Sequence, residues 1–186
     1  MKLIKESLFE FEKYSTIKDM ARVGILNKIK DEMKSDGEIF DNIDNVLGWS
    51  AENGKIEYVK YLLKAGANIH AKDDQALRWA ANNGHYNVVK VLLDNGANIH
   101  AENDQAFRWA SFNGYYNIVK LLLDNGADVH AENDYALRKA SYRGHYDVVK
   151  LLLNNGANVH INNNEVFKLT KVYNKYNIID LLKKYM

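Results

Sequence analysis

Four histidines recur at one interval, at His70, His100, His130 and His160. An Asp follows the first three by four positions, at Asp74, Asp104 and Asp134, and an Arg follows each Asp by four more, at Arg78, Arg108 and Arg138. Imidazole, carboxylate and guanidinium at fixed spacing suggest metal binding or anion capture. Two ligands of one zinc need nitrogens within about 4 Å of each other, given bonds of ~2 Å. Histidines one structural unit apart stand about 10 Å from each other when helix packing sets the spacing. No metal site is therefore expected, and the His side chains are read as bonding to neighbouring backbone. Each Asp–Arg pair is an i, i+4 pair, which contributes a few tenths of a kcal/mol when exposed. Arg stacking on Trp79 or Trp109 is a further use of the same cation.

The elements that would carry these residues follow from the same period. Gly66, Gly96, Gly126 and Gly156 are 30 residues apart, as are Gly54, Gly84, Gly114 and Gly144. A strict period of this size signals stacked units, each too small to bury its own apolar face. In the unit 101–130, Asp104 is placed to cap a first helix. Ala106, Phe107 and Ala110 fall at helical spacing, and Gly114 stops that helix and reverses the chain. Ile118, Val119, Leu122 and Leu123 make the apolar stripe of a second helix that Gly126 ends. The expected unit is two short antiparallel helices and a return loop.

Composition narrows the function classes. The chain has 186 residues, with 25 Lys+Arg against 24 Asp+Glu. That balance gives no strong field for nucleic acid or an acidic membrane surface, and neither is expected as a partner. No apolar segment approaches membrane-spanning length. The absence of Cys excludes disulfides, thiolate nucleophiles and Cys-based zinc sites, and fits a cytoplasmic, reducing setting. Lys60, Lys90, Lys120 and Lys150 recur opposite the second-helix stripe, as a solvated outer face would. Tyr86, Tyr116, Tyr146 and Tyr176 recur too, and recurrence favours packing between units over a cofactor cage. There is no nucleophile elbow, glycine-rich phosphate loop or metal-hydrolase helix motif. No catalytic residue and no cofactor are assigned, and an enzyme is not expected.

The stretch "GHYNVVKVLLDNGANI", Gly84 to Ile99, resembles the second helix and loop of an ankyrin repeat, and "ALRWAANNGH", Ala76 to His85, resembles its first helix. Ankyrin repeats usually run about 33 residues; these run 30. The deletion falls between His70 and Ala76, where the family forms its β-hairpin finger. The fingers are therefore expected to be short or absent, and the fold to be an all-α, helix-turn-helix solenoid. The shortened pattern is similar to ankyrin proteins of giant DNA viruses, which would place the protein in a host cytoplasm. In the resemblance the His ladder takes the family's loop Asn position. The family's Thr-Pro is replaced by Gln75-Ala76, Gln105-Ala106 and Tyr135-Ala136.

The organisation expected is an N-terminal arm or extra helix at 1–13, a worn capping repeat at 14–40, four full repeats at 41–160 and a C-terminal capping repeat at 161–186. In the last copy Asn174 takes the Gly place and Lys183 the place of Leu153. Six units at about 10 Å spacing make a solenoid roughly 60 Å long. Positions that vary between copies are the ones free to meet a partner. The two residues before each first-helix Gly vary most: Glu52-Asn53, Asn82-Asn83, Phe112-Asn113, Tyr142-Arg143 and, at the end, Val172-Tyr173. The resemblance implies that this place faces a concave groove. Phe112 and Tyr142 are then expected side by side, with Asn113, Arg143, Asn82, Asn83, Glu52 and Tyr173 around them, as the protein-binding residues. A non-catalytic scaffold that binds one partner protein, itself monomeric rather than oligomeric, is the function expected. A self-associating structural protein and an adaptor to a ubiquitin ligase are the alternatives; the adaptor would need an F-box-like segment, which the sequence lacks.

Overall fold

The computed structural model describes residues 43–173 and 175–186. The expectations for 1–13, for 14–40 and for Asn174 lie outside them. Among the described residues there are ten helices and no strand. They alternate in two rows. The first helices are α1 (Ile43–Glu52), α3 (Ala71–Asn82), α5 (Ala101–Asn113), α7 (Ala131–Arg143) and α9 (Ile161–Val172). The second helices are α2 (Ile56–Lys64), α4 (Tyr86–Asp94), α6 (Tyr116–Asp124), α8 (Tyr146–Asn154) and α10 (Tyr176–Leu182). First helices pack closely on first helices along the stack, while second helices meet more sparsely. The stack is therefore concave on the first-helix side.

The close inner packing has a sequence cause. Ala76, Ala80, Ala106, Ala110, Ala136 and Ala140 are buried on the first helices, and their small side chains let neighbouring backbones approach. Phe107, Leu77 and Leu137 fill the space between units and are 0–1% exposed. The second helices bury Val88, Val89 and Leu92 in α4 and Ile118, Val119 and Leu122 in α6, while Leu123 of the expected stripe is half-buried. Burying each such side chain is worth about 1.5–3 kcal/mol. Gly114 closes α5 at φ 80, and the Tyr115 N–H donates to the Ala110 carbonyl at 3.0 Å, the bond of a Schellman-type end. A Cβ on Gly114 would also come within 2.5 Å of the His145 ring of the next unit. Backbone conformation and the neighbour's ring both require glycine there.

The missing finger is replaced by a left-handed turn. Glu102, Asn103 and Asp104 stand at φ 52, 55 and 57, and the corresponding residues of α3 and α7 repeat this. Three consecutive non-glycine residues in the left-handed region are unfavourable by about 1–2 kcal/mol each, less for Asn and Asp. The turn therefore has to be held from outside, and this corrects three local readings of the sequence. Asp104 turns its carboxylate across to the return loop and to His100 rather than to the first turn of its own helix. Its Oδ1 accepts from the Asp128 N–H, in the return loop that ends the same unit, at 2.9 Å. The His100 Nδ1 does not bond backbone; it donates to the Asp104 carboxylate at 3.2 Å. Arg108 does not pair with Asp104. Its Nε donates to the Asn103 carbonyl at 2.9 Å and its Nη2 to the Glu102 carbonyl at 2.8 Å, gathering the turn's own acceptors. The same set recurs with Arg78 and Arg138.

Candidate functional site

The sequence-predicted site residues lie at the C-terminal ends of the first helices. Some of them hold neighbouring units together. The Asn83 Nδ2 donates to the Glu52 carbonyl at 3.2 Å, and the Asn113 Nδ2 to the Asn82 carbonyl at 2.9 Å. The His145 Nε2 donates to the Phe112 carbonyl at 3.0 Å, and the His85 Nε2 to the Glu52 carbonyl at 2.8 Å. Asn83, Asn113, His85 and His145 therefore form a seam between units, at the other end of the first helices from the Asp104-type bonds at the turns. The pairs are local in space but about one period apart in sequence, so no helix rule points to them.

The ring-bearing residues are arranged one unit out of step. Phe112 is half-buried, and the Arg143 guanidinium of the next unit lies over its ring at 4.1 Å. Tyr142, also half-buried, meets Tyr173 edge-on with ring centroids 4.6 Å apart. The sites thus chain together as Phe112 with Arg143 and Tyr142 with Tyr173.

A further cluster at the start of α7 escaped the sequence reading. Tyr135 stands where α3 and α5 have Gln75 and Gln105, and Lys139 stands where they have Trp79 and Trp109. Three cations surround the Tyr135 ring: Arg108 at 5.3 Å, Lys139 at 5.4 Å and Arg138 at 5.8 Å. The signal was present in the sequence, since these two positions change type in α7. A change of residue type at two positions does not by itself show that three cations converge on one ring.

The remaining ladders are structural. The Asp74, Asp104 and Asp134 carboxylates are buried between a His and the backbone of their own unit's return loop. Among the described residues no group of three His, Cys, Asp or Glu is arranged to hold a metal ion. Lys60, Lys90 and Lys120 pair with Glu57, Asp94 and Asp124 on the exposed outer row. The hydrogen bond from Lys120 to Asp124, at 2.8 Å, raises that ammonium above its ordinary value. An open hollow on the outer row is lined by Tyr86, Tyr115, Tyr116, Asp147 and Lys150, among others. Tyr86 and Tyr116 are exposed there, although their recurrence had suggested packing. Among the described residues no helix is long and apolar enough to cross a membrane.

No curated protein matches the chain. The family model for ankyrin repeats in three copies matches residues 20–103 and 100–163, which is most of the sequence. With helix pairs stacked in two rows and glycine-ended helices in register, the chain belongs to the ankyrin-repeat family, whose members generally mediate protein–protein interactions.

Proposed function

We propose that the concave first-helix row recognises a partner protein, without catalysis, through Phe112, Tyr142, Arg143 and Tyr173. One observation carries the reading. These side chains differ from the Asn82, Asn83 and Glu52 at the same places of earlier units, and the helix frame does not require rings there. Glu52, Asn82, Asn83 and Asn113 belong to the same face and contribute mainly by keeping adjacent units in register. The cysteine-free composition goes with a cytoplasmic setting, in a host cell for a viral protein of the kind the short repeat resembles.

The test is the double change Phe112→Ser with Tyr142→Ser, combined with hydrogen-exchange mapping of an identified partner on the chain. Loss of a hot-spot aromatic costs about 2 kcal/mol or more of binding. Weakened binding with retained melting, and partner-dependent protection on α5, α7 and α9, is the expected result. Protection confined to the second helices would overturn the reading.

Self-association is a second reading with its own observation. Val172 and Tyr176, at the end of the stack, are 71% and 66% exposed, which is high for apolar side chains. Light scattering that gives the mass of one chain over a range of concentrations removes it.

A further inference from the structure

The concave row changes its charge character partway along. On α7 and α9 the cations are Arg138, Lys139, Arg143, Lys168 and Lys171. The carboxylates of those helices are already engaged. Asp134 is buried against His130 and the Asn158 N–H, Glu132 accepts from Asn103 at 3.0 Å, and Glu165 lies 3.6 Å from Arg138. Lys139, Arg143 and Lys168 have no carboxylate partner among the described residues. Arg108 adds a free donor arm. The Arg78 Nη1 donates to Gln105 and the Arg138 Nη1 faces Glu165, but the equivalent neighbour of Arg108 is the Tyr135 ring, which offers no carboxylate or amide oxygen.

Cations gathered around a ring repel one another, and an anion entering among them relieves that repulsion. Aromatic faces beside them can carry apolar side chains at the same time. The strip is also bounded. The exposed Glu102 and Glu132 line its turn edge, which disfavours a long continuous phosphate backbone.

We propose that the concave face of α5, α7 and α9 takes an acidic protein segment, its carboxylates received by Arg108, Lys139, Arg143 and Lys168 and its apolar side chains laid on Tyr135 and Tyr142. This rests on the groove reading above and specifies the partner's chemistry. The test selects peptides from an unbiased random 16-residue display library on the full chain. The enriched peptides are then synthesised and titrated by fluorescence anisotropy. Peptides rich in Asp and Glu are expected, with binding that weakens as salt rises. Lys139→Glu with Arg143→Glu should weaken them by about tenfold or more. Lys60→Glu with Lys90→Glu, on the outer row, should leave them unchanged. Lys139→Gln with Arg143→Gln keeps the test intact where the charge reversal lowers melting. Neutral or basic peptides that nevertheless depend on Phe112 and Tyr142 would overturn the acidic partner and leave the groove standing. Peptides indifferent to both sets of changes would overturn the groove as well. A 16-nucleotide single strand bound more tightly than any selected peptide would overturn the proposal in favour of nucleic acid.

Discussion

The units beginning at Ala71 and Ala131 share a frame and differ in what they present. Both hold a left-handed turn with an Arg, pair a His with a buried Asp, and offer a carboxylate oxygen to the backbone of their own return loop at 2.7 and 2.8 Å. Both bury an Ala at the same two places of the first helix and a Leu between them. On the open side, Gln75, Trp79, Asn82 and Asn83 become Tyr135, Lys139, Tyr142 and Arg143. Most side chains that hold backbone or fill the core stay the same between these units, the exceptions being Asn83 to Arg143, Ala81 to Ser141 and Ile99 to Val159. Side chains that face the groove change in size and in charge. The comparison separates stability from recognition, residue by residue, inside one chain.

The largest effect should come from the core of the frame. Phe107 is fully buried between α5 and its neighbours, and Phe107→Ala should cost about 3–5 kcal/mol in urea or thermal unfolding. A loss under 1 kcal/mol would mean that the units are not coupled through that ring.

Next come the bonds at the turn. Asp104→Ala removes an acceptor for the Asp128 N–H and the partner of His100. It should cost about 1.5–3 kcal/mol, the range for hydrogen bonds to charged groups. Asp94→Ala breaks only the exposed Lys90 pair and should stay within about 0.5 kcal/mol. Equal effects from the two would erase the distinction between turn and surface.

A small effect on stability, for four changes at once, should come from exchanging faces. Tyr135→Gln, Lys139→Trp, Tyr142→Asn and Arg143→Asn together give the later unit the earlier unit's face. Melting should shift by no more than about 1 kcal/mol, the ring pair with Tyr173 being the main loss. Binding of acidic peptides should disappear. Retained binding would show that the changed residues are not what the partner meets.

Much of the fold could be read from the chain. The glycine period, the alanines and the Val-Val-Leu stripes show as residue types repeated from unit to unit at helical spacing, and sequence rules see those. The turn could not be read in the same way. Asp104 looks like a helix cap because its best local use would be a cap, yet its partner is 24 positions away, at Asp128. Arg108 looks like an i, i+4 pair for the same reason, but a left-handed backbone puts the Glu102 and Asn103 carbonyls within its reach. The site was legible in part. Phe112 and Tyr142 stood out as departures, whereas the partnering of Arg143 with Phe112 depends on the offset between helices, which no spacing in the sequence encodes.

The bonds reach 24 positions at the turn, within one unit, and 31 or 33 at the ends of the first helices, into the adjacent unit. A chain joined this way never has to search for a distant part of itself, so the loops it closes during folding stay short. The same economy governs its history. Adding or losing one whole 30-residue unit leaves every remaining seam with a partner of the right kind. Such an array can grow or shrink by duplication without a new core, and each added unit lengthens the surface it offers to a partner.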